Sequence, residues 1–362
     1  MNTDTPIIIP SYEPDGRLLA LLHQLLQAGF STIIIVDDGS GDSYHGIFAE
    51  AERLIQPTGV LLSYPENQGK GYALKTAFRY VLEQMPDAAG VITADSDGQH
   101  TAECIGKVRE GLLQNPGSLI LGVRAFYGEG IPWKSRFGNK LTRKVMKYVS
   151  GIDVSDTQTG LRGIPTAFLA DCLAIRQNRF EYEMEMLLLT TEKNIPITEV
   201  PIATIYDSAE NHQTHFNPFV DSVRIYGVLG RKFLAFIFSS LSSSLIDLAF
   251  FTLFCHFLKA GHPEGYIILS TAFARIISCT YNFAVNYKTV FKSSGDIASS
   301  AAKYVLLAVV QMSCSALLVN GGSLLLPKVP ETVIKIIVDT LLFFASYKIQ
   351  QKFVFRGKKK TA

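Results

Sequence analysis

The sequence has no Cys-x-x-Cys pair, a single tryptophan and almost no net charge, +2 over 362 residues. Its five cysteines, Cys104, Cys172, Cys255, Cys279 and Cys314, are odd in number and scattered, which argues against a disulfide framework and against thiolate metal spacing. Reduced thiols and a cytoplasmic catalytic part are the expectation. Met1 to Pro6 lack a basic stretch followed by an apolar core, so nothing there predicts export. The weak overall charge gives no bulk attraction for nucleic acid, and none is expected as a partner. That charge is unevenly spread, however. Residues 1–232 hold 21 Lys plus Arg against 27 Asp plus Glu, whereas residues 233–362 hold 13 against 5. An acidic soluble domain, 1–232, is thus expected before a basic domain, 233–362, that is rich in long apolar runs.

Four of these runs are expected to cross a membrane as helices, at 233–257, 266–287, 303–325 and 332–353, each about the 20 residues a bilayer requires. Four in succession with short polar loops make a set of buried soluble helices a poor alternative. Arg231, Lys232, Lys288, Lys292, Lys303, Lys348, Lys352, Arg356 and Lys358 to Lys360 fall on one side in this threading, and Lys259, Lys328 and Lys335 on the other. The positive-inside bias then puts both chain ends and the soluble domain on the cytoplasmic face of the cell membrane. The second and fourth runs finish alike, Thr289-Val290-Phe291-Lys292 against Phe353-Val354-Phe355-Arg356, which hints at two hairpins related by an internal repeat. Asp247, Arg275 and Asp339 lie inside the runs. Intramembrane charge is costly, so Arg275 is expected to pair with Asp247 or with Asp339; structural pairing and a role in transport both fit.

The soluble domain shows short apolar runs suited to buried strands at 5–10, 31–36, 60–63, 90–94 and 118–123. Helical periodicity appears between them at Leu18, Leu19, Leu22, Leu25 and Leu26, and again at Tyr72, Leu74, Ala77, Phe78, Val81 and Leu82. Alternating strand and helix implies an α/β domain with a mostly parallel sheet. Asp95-Ser96-Asp97 closes the fourth run, so both acids emerge at the carboxyl end of a buried strand, where open α/β sheets bind ligands. Carboxylates spaced i and i+2 at such an edge suit a hard divalent cation that shares its coordination with a nucleotide diphosphate. A solvated turn uses the same residue types. Other strand ends carry Pro10-Ser11-Tyr12-Glu13, Asp37-Asp38-Gly39-Ser40 and Asn67-Gln68-Gly69-Lys70-Gly71. There Asp37 or Asp38 can accept from ribose or base, Tyr12 can stack on the base, and Lys70 can meet phosphate or base.

Taken together, these segments resemble the family 2 glycosyltransferases of the GT-A fold, and within them the polyprenyl-phosphate sugar synthases typified by dolichol-phosphate mannose synthase. Gly122-Val123-Arg124 and Asp156-Thr157-Gln158-Thr159-Gly160-Leu161-Arg162-Gly163 extend the match across nearly all of residues 5–230. The resemblance implies that Asp95 and Asp97, with Gln99, hold Mg2+ or Mn2+ and the sugar-nucleotide diphosphate. It implies that Pro10, Tyr12, Glu13, Asp37, Asp38 and Lys70 line the nucleotide pocket, that Arg124 and Arg136 meet the acceptor phosphate, and that Asp156 and Arg162 lie in the segment closing over donor and acceptor. The later segment departs from the synthase pattern of an Arg and a Ser-Lys pair over the diphosphate, reading Tyr206-Asp207-Ser208-Ala209-Glu210-Asn211-His212-Gln213-Thr214-His215-Phe216; the resemblance implies Asn211 and His215 as replacements for those cations, with a solvated loop histidine the alternative for His215. The membrane domain resembles the GtrA family through Ala274-Arg275-Ile276-Ile277-Ser278, Asn282-Phe283 and Asn286-Tyr287. That family is associated with anchoring the transferase or moving lipid-linked sugars.

An amphipathic basic segment, 132–149, sets Trp133, Phe137, Leu141, Val145 and Tyr148 on one stripe beside Arg136, Lys140, Arg143, Lys144 and Lys147, as an interfacial helix requires; 217–231 is expected to form a second. A lipid phosphate is already anionic near neutral pH, so such an acceptor needs orientation and charge screening and no general base. Direct displacement inverts the anomeric carbon. The expected partners are therefore a nucleotide-diphosphate sugar, a polyprenyl phosphate and the bilayer, and small bundles of this kind often assemble into homo-oligomers. Two rival functions are a processive polysaccharide synthase and a transporter or scaffold whose soluble domain only binds nucleotide sugar. The first is disfavoured because Gln177-Asn178-Arg179-Phe180 lacks the spacing and the tryptophan of Gln-x-x-Arg-Trp.

Overall fold

A computed structural model describes residues 5–124, 133–203, 220–259, 261, 266–291, 293, 295–326 and 328–355, with the side chains of 133–139, 220–223, 225 and 331–332 outside that description. The chain divides into two compact units, Met1–Leu229 and Gly230–Ala362.

In the first unit, β-branched runs form a sheet that is buried on both faces. The strands are β1 (Ile7–Ser11), β2 (Ile33–Asp37), β3 (Val60–Ser63), β4 (Gly90–Thr93), β5 (Leu119–Arg124), β6 (Arg162–Pro165) and β7 (Ile197–Ile202). Their order is β3-β2-β1-β4-β6-β5-β7. Every described pairing is parallel except those of β6, which runs antiparallel to β4 and to β5. The first five strands lie where the sequence places apolar runs. β6 and β7 were not anticipated, because Arg162-Gly163-Ile164-Pro165 offers too short an apolar stretch and Ile197–Ile202 is interrupted by Glu199 and Pro201.

Because strand side chains alternate between faces, β1 feeds two cores. Ile8 packs with Phe78 of α3 (Lys70–Gln84), Phe168 of α6 (Thr166–Leu173) and Tyr182 of α7 (Glu181–Lys193). Ile7 and Ile9 pack with Leu18 and Leu22 of α1 (Gly16–Gln27), Phe48 of α2 (His45–Ile55) and Ile105 of α4 (Ala102–Gln114). Each such fully buried aliphatic side chain contributes about 2 kcal/mol. Helix starts are sealed locally: Asp15 accepts the Arg17 N–H before α1, and Thr101 accepts the Cys104 N–H before α4. The basic segment forms α5 (Trp133–Val149), with Met146 and Val149 buried and Lys140, Lys144 and Lys147 outward. Asp153 binds Arg143 at 3.0 Å and Lys147 at 2.5 Å.

The second region contains α8 (Val220–Leu258), α9 (Tyr266–Val285), α10 (Ile297–Leu325) and α11 (Glu331–Ile349). Among the described residues, three stretches are long and apolar enough to cross a membrane, Tyr226–Leu258, Tyr266–Val290 and Ile297–Leu325. The fourth expected span is helical too, but α11 carries Lys335, Asp339 and Lys348, and that charge sets it apart from the other three. Arg275 Nη2 lies 3.5 Å from Asp247 Oδ2, and Ser278 Oγ donates to Asp247 Oδ1 at 2.8 Å. Asp339 is held instead by Lys335 at 2.9 Å and by Ser315 Oγ.

The repeated sequence endings have repeated structure. α9 and α11 each run into a five-residue π-turn, Asn286–Val290 and Gln350–Val354. Asn286 Nδ2 donates to Gln350 Oε1 at 3.2 Å, and Phe291 stacks on Phe355 at 5.1 Å.

Candidate active site

The carboxyl ends of β1, β2 and β4 bring the predicted pocket residues to one edge. Pro10 is buried on β1, and Tyr12 and Glu13 follow it, Glu13 in the left-handed region at φ 49°. The Glu13 N–H donates to Ser40 Oγ at 2.9 Å, and the Ser40 N–H donates to Asp37 Oδ1 at 2.9 Å. The hydrogen bond to Glu13, helped by partial burial, pushes the Tyr12 phenol above its ordinary value.

Asp38 is saturated from inside the fold. Its Oδ1 accepts from the Tyr64 hydroxyl at 2.7 Å and the Gln68 N–H at 2.9 Å; its Oδ2 accepts from Asn67 Nδ2 at 3.0 Å and the Gly69 N–H at 2.9 Å. These bonds fold the Asn67–Gly69 turn that delivers Lys70 to the first residue of α3. At Gly69, φ is +100°, and a Cβ there would meet Arg179 Cγ at 2.6 Å, so the turn depends on the missing side chain. Arg179 Nη1 also donates to Asn67 Oδ1 at 3.3 Å.

Lys70 links this turn to the acids. Its Nζ lies 2.6 Å from Asp95 Oδ1 and 3.1 Å from Glu183. Burial alone would lower the pKa of the ammonium, but the facing Asp95 and Glu183 charges reverse this and hold it above the ordinary lysine value. Burial likewise opposes ionisation of Asp95, and Lys70 overrides it, keeping the carboxyl well below the usual range. The other oxygen of Asp95 lies 3.6 Å from Nε2 of the buried His100. A Cβ at Gly160 would fall 2.3 Å from that same oxygen, and the Gly160 carbonyl accepts from Thr93 Oγ1 at 2.7 Å. Asp97 Oδ1 accepts the Gln99 N–H at 3.1 Å; burial and then the Asp95 charge push the Asp97 carboxyl up.

Arg124, at the end of β5, and Asp156 are brought together. Nε and Nη2 of Arg124 donate to Oδ2 and Oδ1 of Asp156 at 2.7 and 3.1 Å, and the Gln158 N–H also reaches Oδ1 at 3.1 Å. Asp156 is thus the counter-charge of Arg124 as well as a local cap. Arg162 goes elsewhere: it is 1% exposed on β6, donating through Nε to the Thr159 carbonyl at 3.0 Å and through Nη1 to the Glu183 carbonyl at 2.8 Å. Within the segment expected to close over donor and acceptor, this side chain links β6 to α7. The side chain of Arg136 on α5 lies outside the described residues, as do Asn211 and His215.

Sequence reasoning gave no role to Tyr64, His100, Gly160, Arg179 or Glu183, although His100 follows directly on Asp95 to Gln99 and Gly160 lies inside the segment that carries the family resemblance.

A divalent ion is implied by the family resemblance, and the residues fit it in one form. Asp95, Asp97 and Gln99 offer hard oxygen donors of the type Mg2+ and Mn2+ prefer. Among the described residues no three acidic, histidine or cysteine side chains form a ready cage. Asp95, Asp97 and Gln99 would be the protein's own share of the ligands.

A seven-stranded, mostly parallel sheet with its acids at the carboxyl edge is a GT-A-type fold. Residues 7–173 match the Glycosyl transferase family 2, and residues 235–355 match the GtrA/DPMS transmembrane domain. The chain thus carries a domain that matches the family 2 glycosyltransferases, followed by one that matches the GtrA/DPMS membrane family. The UDP-N-acetylglucosamine–dolichyl-phosphate N-acetylglucosaminyltransferase of Methanococcus voltae is 28% identical over 215 residues, covering 55% of this chain and 85% of that protein. A dolichyl-phosphate hexose transferase of Haloferax volcanii is 26% identical over 226 residues, 61% of this chain and 90% of that one. Among solved structures, glucosyl-3-phosphoglycerate synthase of M. tuberculosis aligns with a TM-score of 0.43 and 15% identity, over 64% of this chain and 78% of that one.

Proposed function

We propose that the chain transfers a sugar from a nucleotide-diphosphate sugar to a polyprenyl phosphate at the cytoplasmic face of the membrane, with inversion at the anomeric carbon. Residues 1–232 carry the chemistry in this reading, and residues 233–362 anchor it with both termini in the cytoplasm. The observation that carries the proposal is the meeting of Lys70, Asp95 and Asp97 at the carboxyl edge of β4, in a chain that continues into three membrane-length apolar helices. A sugar diphosphate needs cations on its leaving group, and the edge supplies Lys70 from the protein. Asp97, with Asp95 and Gln99, would hold a divalent ion there, whose chemistry is Lewis-acid stabilisation of the departing diphosphate. In this reading Arg124, held by Asp156, meets the anionic acceptor. An acceptor that arrives as a phosphate needs no proton removed, which accords with a site where the acids are committed to cations. The exposed lysines of α5 suit contact with anionic headgroups.

The test is full-length protein in liposomes, given labelled UDP- and GDP-sugars with Mg2+ or Mn2+ and undecaprenyl or dolichyl phosphate. A lipid-linked monosaccharide identified by mass spectrometry is the expected product. Donor hydrolysis alone, a polymer, or binding without turnover would replace this reading.

A further inference from the structure

The Lys70 ammonium sits between two carboxylates drawn from distant parts of the chain. Asp95 is 2.6 Å away, and Glu183, from α7, is 3.1 Å away. All three side chains are largely enclosed, Lys70 at 17% exposure, Asp95 at 26% and Glu183 at 10%. The first acid of the Asp-x-Asp turn therefore already has a cation in contact with Oδ1, while His100 and the Gly160 backbone crowd Oδ2. A bare divalent ion approaching Asp95 meets an ammonium held by a second acid, and like charges in an enclosed site repel strongly. A nucleoside diphosphate changes this balance, because its oxygens supply an alternative partner for Lys70 and further ligands for the ion.

We propose that Lys70 is a resident cation on the Asp95 carboxylate, with Glu183 as its second counter-charge, and that it makes divalent-ion binding conditional on a nucleoside diphosphate. The inference rests on the nucleotide-sugar reading above. It assigns Glu183 a place in the site, and it predicts that the protein captures the ion and the diphosphate together. Without Lys70, Glu183 is released to join Asp95 and Asp97 as a third acid facing any cation.

The experiment titrates the full chain in detergent with MnCl2, alone and with UDP or GDP, reading free Mn2+ by electron paramagnetic resonance. No acceptor and no turnover are involved. Wild type is expected to bind Mn2+ about tenfold more tightly with one of the nucleotides than without. Lys70→Met is expected to bind bare Mn2+ about tenfold more tightly than wild type, while Lys70→Arg stays close to wild type. In Lys70→Met/Glu183→Gln the gain shrinks, because the third acid is gone. Bare Mn2+ affinity in folded Lys70→Met equal to that of wild type overturns the inference. So does wild type binding bare Mn2+ as tightly as with either nucleotide while Lys70→Met still gains Mn2+ affinity with one of them, a result that leaves the transferase reading standing. Failure of both nucleotides to promote Mn2+ binding in wild type and in Lys70→Met would instead remove the nucleotide-diphosphate reading, and the inference with it.

Discussion

Arg124 and Asp156 face each other through two hydrogen bonds, at 2.7 and 3.1 Å, with the aspartate side chain wholly buried and the arginine side chain 19% exposed. The acid therefore holds the cation in place. Asp156→Ala is expected to lower stability by roughly 3 kcal/mol, because an arginine in a mostly enclosed site loses its counter-charge. Transfer should fall further than stability explains. Chemical unfolding and an acceptor titration on the same preparation separate the two effects.

Asp97→Ala should abolish transfer and leave the fold intact. The carboxylate accepts one described backbone N–H, and burial beside Asp95 already disfavours its charge, so its removal relieves repulsion. Labelled-donor assays together with an unchanged unfolding midpoint are the expected pair of results. Wild-type turnover would take Asp97 out of the chemistry.

Tyr64→Phe removes one of the donors that saturate Asp38. Burial and the Asp38 contact push the Tyr64 phenol above its ordinary value, which keeps the hydroxyl available as a donor near neutral pH. About 1 kcal/mol of stability should be lost. Donor KM should rise several-fold with little change in kcat, since the Lys70 turn hangs from Asp38. Steady-state kinetics over a donor series checks this.

Asp15 caps α1, and Asp15→Ala should cost about 1 kcal/mol. The hydrogen bond from Arg17 outweighs burial and holds the Asp15 carboxyl below its ordinary value of 3.8. A depressed folded pKa means that the stabilisation is complete above the unfolded value and is lost as pH falls through the folded one. Thermal unfolding should accordingly separate wild type from Asp15→Ala at pH 7, with the gap closing below about pH 4.

Asp247→Ala leaves Arg275 without the partner it has 3.5 Å away, among apolar helices. A cost of about 2–3 kcal/mol is expected from an uncompensated intramembrane charge. Asp247→Ala/Arg275→Ala should recover most of that loss. Heat-induced aggregation in detergent, compared across the three variants and wild type, reads out the coupling.

Much of the sheet could be read from periodicity alone, because Ile7-Ile8-Ile9 and Ile33-Ile34-Ile35 are β-branched runs bounded by turn residues. β6 escaped for the opposite reason: its four residues include Arg162, Gly163 and Pro165, and its pairing is decided by tertiary contact with β4 and β5. The acids were legible because they end an apolar run. Their partners were not, since Glu183 is separated from Lys70 by 113 positions and nothing local marks the pair. Asp38 shows the limit from the other side. The sequence offers an aspartate at a ligand-binding edge, and only the fold reveals that four neighbouring groups already claim its oxygens.

Gly160 gives the site a rule of volume exclusion. The hydrogen on its α-carbon fills a gap that a methyl group could share with Asp95 only by overlapping it. The acid is in effect cast against bare main chain leading into β6, so neither can shift without displacing the other. The most charged corner of the cleft takes its shape from a position that contributes no chemistry of its own.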